Sequence, residues 1–233
     1  MCKFVGELGD GARDRGVYGA AVANVPFVPE DGEVLLGRGF NKLVYSGNFL
    51  KSLKPKAEKQ AKMLADRGDP VPFDIEQCRK ATTIGEFDDA FIAPIYGFAD
   101  KAEYYKTQGS KRFLKKAAVP LLAVHALDDP FIARRSLPTE DDVSSTVRLE
   151  YHEYGGHCGW IAKADREAQA RGVDPRNWMP DALAAFVAHV EVAEAAAAAE
   201  GGPDGDSTAA SWLPDALGEL ADELRARMGG GGG

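Results

Sequence analysis

The chain has 233 residues, 45% hydrophobic and 27% charged, enough for one good-sized core in a globular protein. Its formal net charge is −8, but nine acids against two arginines from Glu191 onward put −7 there and leave −1 on the rest, which gives no electrostatic case for nucleic-acid binding. No apolar run approaches the roughly 20 residues of a membrane span, the first residues have no signal- or transit-peptide character, and three cysteines (Cys2, Cys78, Cys158) argue against a disulfide framework and for a reducing compartment.

Gly16 to Val25 reads as a buried strand of small residues that stops at Pro26, and the first unit is placed at 1–30. From Asp31 to Gln108 the pattern is mostly helical and amphipathic, with breaks expected at Pro55, Pro70, Pro72 and Pro94, and a helical region is placed at 31–116. Lys42, Lys51, Lys54, Lys56, Lys59 and Lys62 read as a solvated basic face. Phe87, Phe91, Tyr96, Phe98, Tyr104 and Tyr105 are candidates for lining a pocket, with core packing the favoured role.

Val119 to His125 is a short apolar run entered through Pro120, as suits a strand buried on both faces. Asp128 and Asp129 follow, and Pro130 prevents the strand from continuing. A carboxylate at the carboxyl end of a buried strand lies at the rim of the sheet, where such folds place ligands. Thr146 to Tyr151 reads as another strand. Gly155-Gly156 then allows unusual backbone angles just before His157, and Trp178 to Val192 has helical spacing with Trp178, Ala182, Phe186 and His189 on one face.

Strand, acid, strand, Gly-Gly-His, helix is the order that brings a histidine to a carboxylate able to fix its tautomer and stabilise its imidazolium. Asp129 is the favoured acid. Asp128 remains the alternative, and an Asx-type turn ahead of Pro130 is the purely structural reading of the pair. A metal set of His125, His152, Asp128 and His157 matches no ligand spacing, and no nucleotide motif or Cys-x2-Cys pair occurs, so neither metal nor cofactor is expected. Residues 193–211 read as a low-complexity linker, and 212–228 as a possible short helix whose Trp212-Leu213-Pro214-Asp215-Ala216-Leu217 echoes Trp178 to Leu183. Residues 229–233 read as a disordered glycine tail.

The chain resembles the YheT-like, or embryogenesis-associated, branch of the α/β-hydrolases. The likeness runs through Arg38 to Tyr45, Thr83 to Phe91, Ala93 to Phe98, Tyr104-Tyr105, His125 to Phe131 and Gly155 to Gly159, and covers residues 1 to 190. It implies a partial α/β-hydrolase fold: the tail of the nucleophile helix at residues 1–9, the C-terminal strands of a mostly parallel sheet with flanking helices, a helical cap at 31–116, and a core at 117–192 bearing the acid and the histidine. It implies a carboxylesterase or acylglycerol lipase type of serine hydrolase, with Asp129 and His157 as charge-relay partners and a small acyl ester or lipid as substrate. An intracellular setting, cytoplasmic or organellar, is expected.

One departure is decisive for that expectation. No Gly-x-Ser-x-Gly occurs in the chain, although the nucleophile of this fold sits on a strained strand-to-helix turn. Met1 to Glu7 is similar to the segment that follows this turn in the family, so the serine and the true N-terminus are expected upstream and the chain alone is expected to be inactive. Ser46, Ser110, Ser136 and Cys158 lack the turn pattern. With only three strands legible, an apolar sheet edge and face are expected to be exposed, giving poor expression or binding of hydrophobic dye. The alternative is a non-catalytic relic or interaction module of the same fold.

Overall fold

The computed structural model describes residues 1–161 and 174–199. The strands are β1 (Ala20–Ala23), β2 (Leu121–Ala126) and β3 (Val147–His152). The principal helices are α1 (Cys2–Leu8), α2 (Pro29–Leu36), α3 (Gly47–Arg67), α4 (Ile75–Lys80), α5 (Ile84–Phe87), α6 (Lys101–Gln108) and α7 (Trp178–Ala199). The chain divides into two compact units. Among the described residues, one comprises 1–27, 110–129, 137–161 and 174–199; the other comprises 28–109 and 130–136.

The first unit is built on a parallel sheet in the order β1-β2-β3, with Ala20 opposite Leu121 and Leu121 opposite Val147. All six residues of β2 are buried, as its unbroken apolar run requires of a central parallel strand. On one face Leu122, Val124 and Ala126 pack with Trp160 and with Trp178, Ala182, Phe186 and Val190 of α7. Those α7 residues recur every fourth position, the spacing that lines one face of a helix. His189 is half-buried beside that stripe.

Helix α1 packs against the helical turn Lys111–Lys116. Contact there is so close that a Cβ at Gly6 would lie inside the van der Waals envelope of the Phe113 carbonyl oxygen, and backbone cannot swing away as a side-chain tip can. Gly6→Ala is therefore expected to lower the stability of this unit by about 1–3 kcal/mol, the usual cost of overpacking, measurable by urea denaturation.

The second unit is helical. Leu50 and Ala57 of α3 join Phe73, Cys78, Ala81, Phe87 and Ala90 in one core, with Phe91 packed against it. The starts of α4, α5 and α6 carry side-chain caps. Asp74 accepts from the amides of Glu76 and Gln77 at 2.9 and 3.1 Å, Thr83 from Glu86 at 3.1 Å, and Asp100 from Glu103 at 2.7 Å. Glu86 and Glu103 reach back to the amides of Thr82 and Ala99, completing reciprocal caps around α5 and α6.

Several expectations are corrected here. Pro55 lies inside the unbroken α3. It is exposed there, and so is Lys51, whose carbonyl loses its helical partner but faces water. Pro94 falls in the first turn of the short helix Ala93–Ile95 rather than at a break. Residues 193–199, expected to open the linker, continue α7 to Ala199, because an alanine run is a strong helix former whatever its low complexity. The rest of the linker, the possible short helix at 212–228 and the glycine tail lie outside the described residues. Pro130 to Ser136 belongs with the helical unit rather than the sheet: Phe131 meets Tyr45 and Phe49 edge-on, and Arg135 pairs with Asp31 at 2.6 Å. Among the described residues no helix is long and apolar enough to cross a membrane.

Candidate functional site

The candidate site lies at the carboxyl ends of the three strands. Past β2, the amide of Leu127 donates to the His152 carbonyl at 2.7 Å and that of Asp129 to the Ala126 carbonyl at 3.2 Å. This closes a turn directly after the strand. The two adjacent aspartates leave it in different directions and do different things.

Asp129 points inward and its carboxylate is 0% exposed. Its Oδ2 lies 2.8 Å from His157 Nδ1 and accepts from Asn24 Nδ2 at 3.1 Å. A buried carboxylate needs such partners, since an unpaired one is far too costly to bury. Asp128 instead turns to the loop after β3, where its Oδ1 accepts from the amides of Gly155 and Gly156 at 3.0 and 2.8 Å. Asp129 thus meets the imidazole, while Asp128 holds the backbone of the loop that carries it.

The loop bearing His157 is shaped by its two glycines for separate reasons. Gly156 has φ +58°, a left-handed conformation that glycine adopts without steric cost. Gly155 is needed for space, as a Cβ there would come within 2.7 Å of the Trp160 indole. Trp160 is stacked on Trp178 with ring centroids 5.1 Å apart, and His152 stands edge-on to both. This aromatic layer supports the loop from below. The His157 side chain is 37% exposed, so the imidazole bridges a buried acid and an open side.

Asn24 was not singled out by the sequence. It follows β1 directly, is 5% exposed and has φ +48°. Besides Asp129, its Nδ2 faces the carbonyls of Gly156 and His157, each at 2.6 Å. The only sequence signal is a polar residue closing an Ala-Ala-Val-Ala run, which equally marks an ordinary turn.

His125 is buried in β2 with its ring edge-on to Tyr151, and neither ring nitrogen has a hydrogen-bond partner. Burial pushes its pKa down to about 4, opposed by the negative charge of Asp129 and reinforced by His157. His125 is thus a neutral packing residue at pH 7. His125 and His152 sit in separate aromatic environments, and among the described residues no group of three or more His, Cys, Asp or Glu side chains could hold a metal ion.

The other nucleophile candidates are occupied or out of place. Ser46 donates to the Leu36 carbonyl at 2.7 Å and Ser136 to that of Ala133 at 2.6 Å. Ser136 and Ser110 are buried. Cys158 is an exposed free thiol. Of the aromatics proposed for a pocket, Phe87 and Tyr105 are buried and Phe91 packs on the helical core, whereas Tyr96 is 69% exposed.

Comparison with curated proteins finds several relatives that match this chain in part. The chain is 33% identical over 148 residues to YheT of Escherichia coli strain K12, named as an esterase, a match covering 64% of this chain and 42% of that protein. It is 29% identical over 171 residues to the embryogenesis-associated protein EMB8 of Picea glauca, covering 72% of this chain and 37% of the relative. These likenesses support a YheT-like α/β-hydrolase. A third relative, phospholipase ABHD3 of Mus musculus, is 30% identical over 127 residues, which is 54% of this chain and 30% of its own length. The chain thus spans less than half the length of each of these relatives. No family model and no solved structure matches it. The parallel sheet with flanking helices agrees with the α/β-hydrolase fold, and the relatives' names agree with hydrolase chemistry in the family.

Proposed function

We propose that this chain carries the acid and base of a serine hydrolase that cleaves carboxylic esters of small or lipid acyl substrates. Asp129 orients the His157 imidazole through Nδ1 and stabilises the imidazolium. Through Nε2, His157 takes the serine proton as general base and returns it to the leaving alcohol as general acid. The serine lies upstream of residue 1, as does the oxyanion hole, whose donors in this fold come from the residue after the nucleophile and from an earlier loop. The observation that carries this reading is the 2.8 Å approach of His157 Nδ1 to a fully buried Asp129 carboxylate. The esterase and phospholipase names of the relatives support the substrate class.

The test compares two polypeptides, residues 1–233 alone and the same frame extended upstream in its transcript. The extended protein is expected to hydrolyse short-chain aryl esters and to be labelled by a fluorophosphonate on a serine. The 233-residue chain alone is expected to do neither, because a dyad without nucleophile and oxyanion hole retains little acyl-transfer power. An extended protein that binds no fluorophosphonate overturns the proposal and favours a non-catalytic interaction module.

A further inference from the structure

We propose that Asn24 is a positioning residue for the Asp129–His157 pair, clamping the loop that carries the acid to the loop that carries the base. The proposal rests on the catalytic reading only for its consequence in turnover.

Asn24 is the only non-glycine residue with positive φ among the described residues. Asparagine tolerates that conformation better than most residues but still at a conformational cost. Its backbone amide donates to the Val124 carbonyl at 3.0 Å, which ties it to the central strand. Its side-chain amide has two hydrogens and faces three acceptors: Asp129 Oδ2 and the carbonyls of Gly156 and His157. Rotating the amide by half a turn would set its oxygen against all three, so the orientation is determined. That orientation leaves Asn24 Oδ1 buried without a partner.

Strained backbone and an orphaned acceptor are two penalties at one buried residue, and neither serves the sheet. Together they let one rigid donor group reach the acid and the base at once. From the amide side of the same loop, Asp128 holds the N–H groups of Gly155 and Gly156. The peptide before His157 is therefore gripped at its N–H groups by the acid's neighbour and at its carbonyls by Asn24. A Gly-Gly loop is intrinsically loose; here its position is set by the ends of β1 and β2, and with it the separation of Nδ1 from Oδ2.

The test uses the full 233-residue chain and two variants. Asn24→Gly suits the positive φ and removes only the donor. Asn24→Asp keeps the size and tolerates the φ, but sets a carboxylate against Asp129 and two carbonyls. Hydrogen–deuterium exchange by mass spectrometry reads backbone amides across 155–158 and the imidazole C2–H of each histidine at low protein concentration. In both variants amide exchange across 155–158 is expected to speed about tenfold, equivalent to ~1.4 kcal/mol. C2–H exchange of His157 is expected to change with it, while that of His189 on α7 stays at the parental rate.

A residue serving the fold alone would move all sites together with the melting temperature. Asn24→Gly, whose backbone is unstrained, carries the test if the aspartate variant does not fold. Parental exchange at 155–158 and at His157 in Asn24→Gly overturns the proposal, even if Asp129→Asn abolishes turnover. Altered exchange in an enzyme frame that shows no esterase activity sinks the catalytic reading and leaves the clamp standing. Where both hold, Asn24→Asp lowers kcat in the extended protein with little change in KM.

Discussion

In the upstream-extended protein, Asp129→Asn is expected to lower kcat for ester hydrolysis by about 10⁴-fold, the loss that follows when a triad aspartate is neutralised. The substitution preserves shape and removes charge. Asp129 is fully buried and meets His157 at Nδ1, so no water can replace the lost counter-charge as the imidazolium forms. Nor does an amide fix the tautomer that leaves Nε2 ready to accept a proton. A carboxylate sealed from solvent offers substrate no contact, so KM should change little. Asp128→Asn is the matching control. Asp128 accepts two backbone N–H bonds through Oδ1, and an amide oxygen can accept the same two. Its cost is expected to stay within about tenfold, a loss of ~1.4 kcal/mol or less. Initial rates on one aryl ester decide the matter. Comparable losses in the two variants would mean that the neighbouring aspartates do not divide the work as their geometry indicates.

That division also shows where the sequence stops being legible. The end of β2 was readable because Pro130 interrupts an apolar run, and the end of β3 because two glycines interrupt another. Both signals lie within a few residues of the side chains they position. Which of two adjacent aspartates turns inward is a different matter. It depends on the turn that Asp129 makes with Ala126 and on donors waiting for each carboxylate. One of those donors, Asn24, is 105 residues away along the chain, and parallel pairing of β1 with β2 alone brings it near.

Composition misled in the opposite way at the C-terminal helix. The alanines of 195–199 read as linker because they are repetitive, yet alanine has the highest helix propensity of any residue, and α7 continues through them. Pro55 misled because an interior proline costs a helix one hydrogen bond and a ring clash, a cost that the 21-residue α3 carries without ending. The unit boundary after Asp129 was invisible because it depends on Phe131 packing against Tyr45 and Phe49, more than 80 residues earlier.

The helical unit carries the second large effect. Asp88→Asn is expected to stabilise it by about 2–3 kcal/mol above pH 6 and to do nothing for it below about pH 4. Asp88 accepts from the Tyr105 hydroxyl at 2.6 Å, close to the Glu33–Lys101 pair. Burial pushes its pKa up to about 6 from an ordinary 3.8; the negative charge of Glu33 adds to the rise, while the Tyr105 bond and Lys101 oppose it.

The folded state therefore holds a proton that the unfolded chain gives up. Below about pH 4 both states are protonated and the carboxyl costs nothing. Between about pH 4 and 6 the unfolded chain ionises first, so stability falls as pH rises, at ~1.4 kcal/mol per unit of pKa difference. Above about pH 6 both states are ionised and the penalty stays constant. Asparagine keeps an oxygen for the Tyr105 hydroxyl and has no charge to bury, which removes the penalty wherever it exists. The Lys101 attraction is already included in that shift, so its loss takes nothing further from the gain. Thermal melts of parent and variant from pH 4 to pH 8 should diverge as pH rises and then run parallel. A difference that is constant across that range, or that shrinks with rising pH, would show that Asp88 is ionised in the folded state throughout, held by Lys101 and Tyr105 more strongly than burial opposes it.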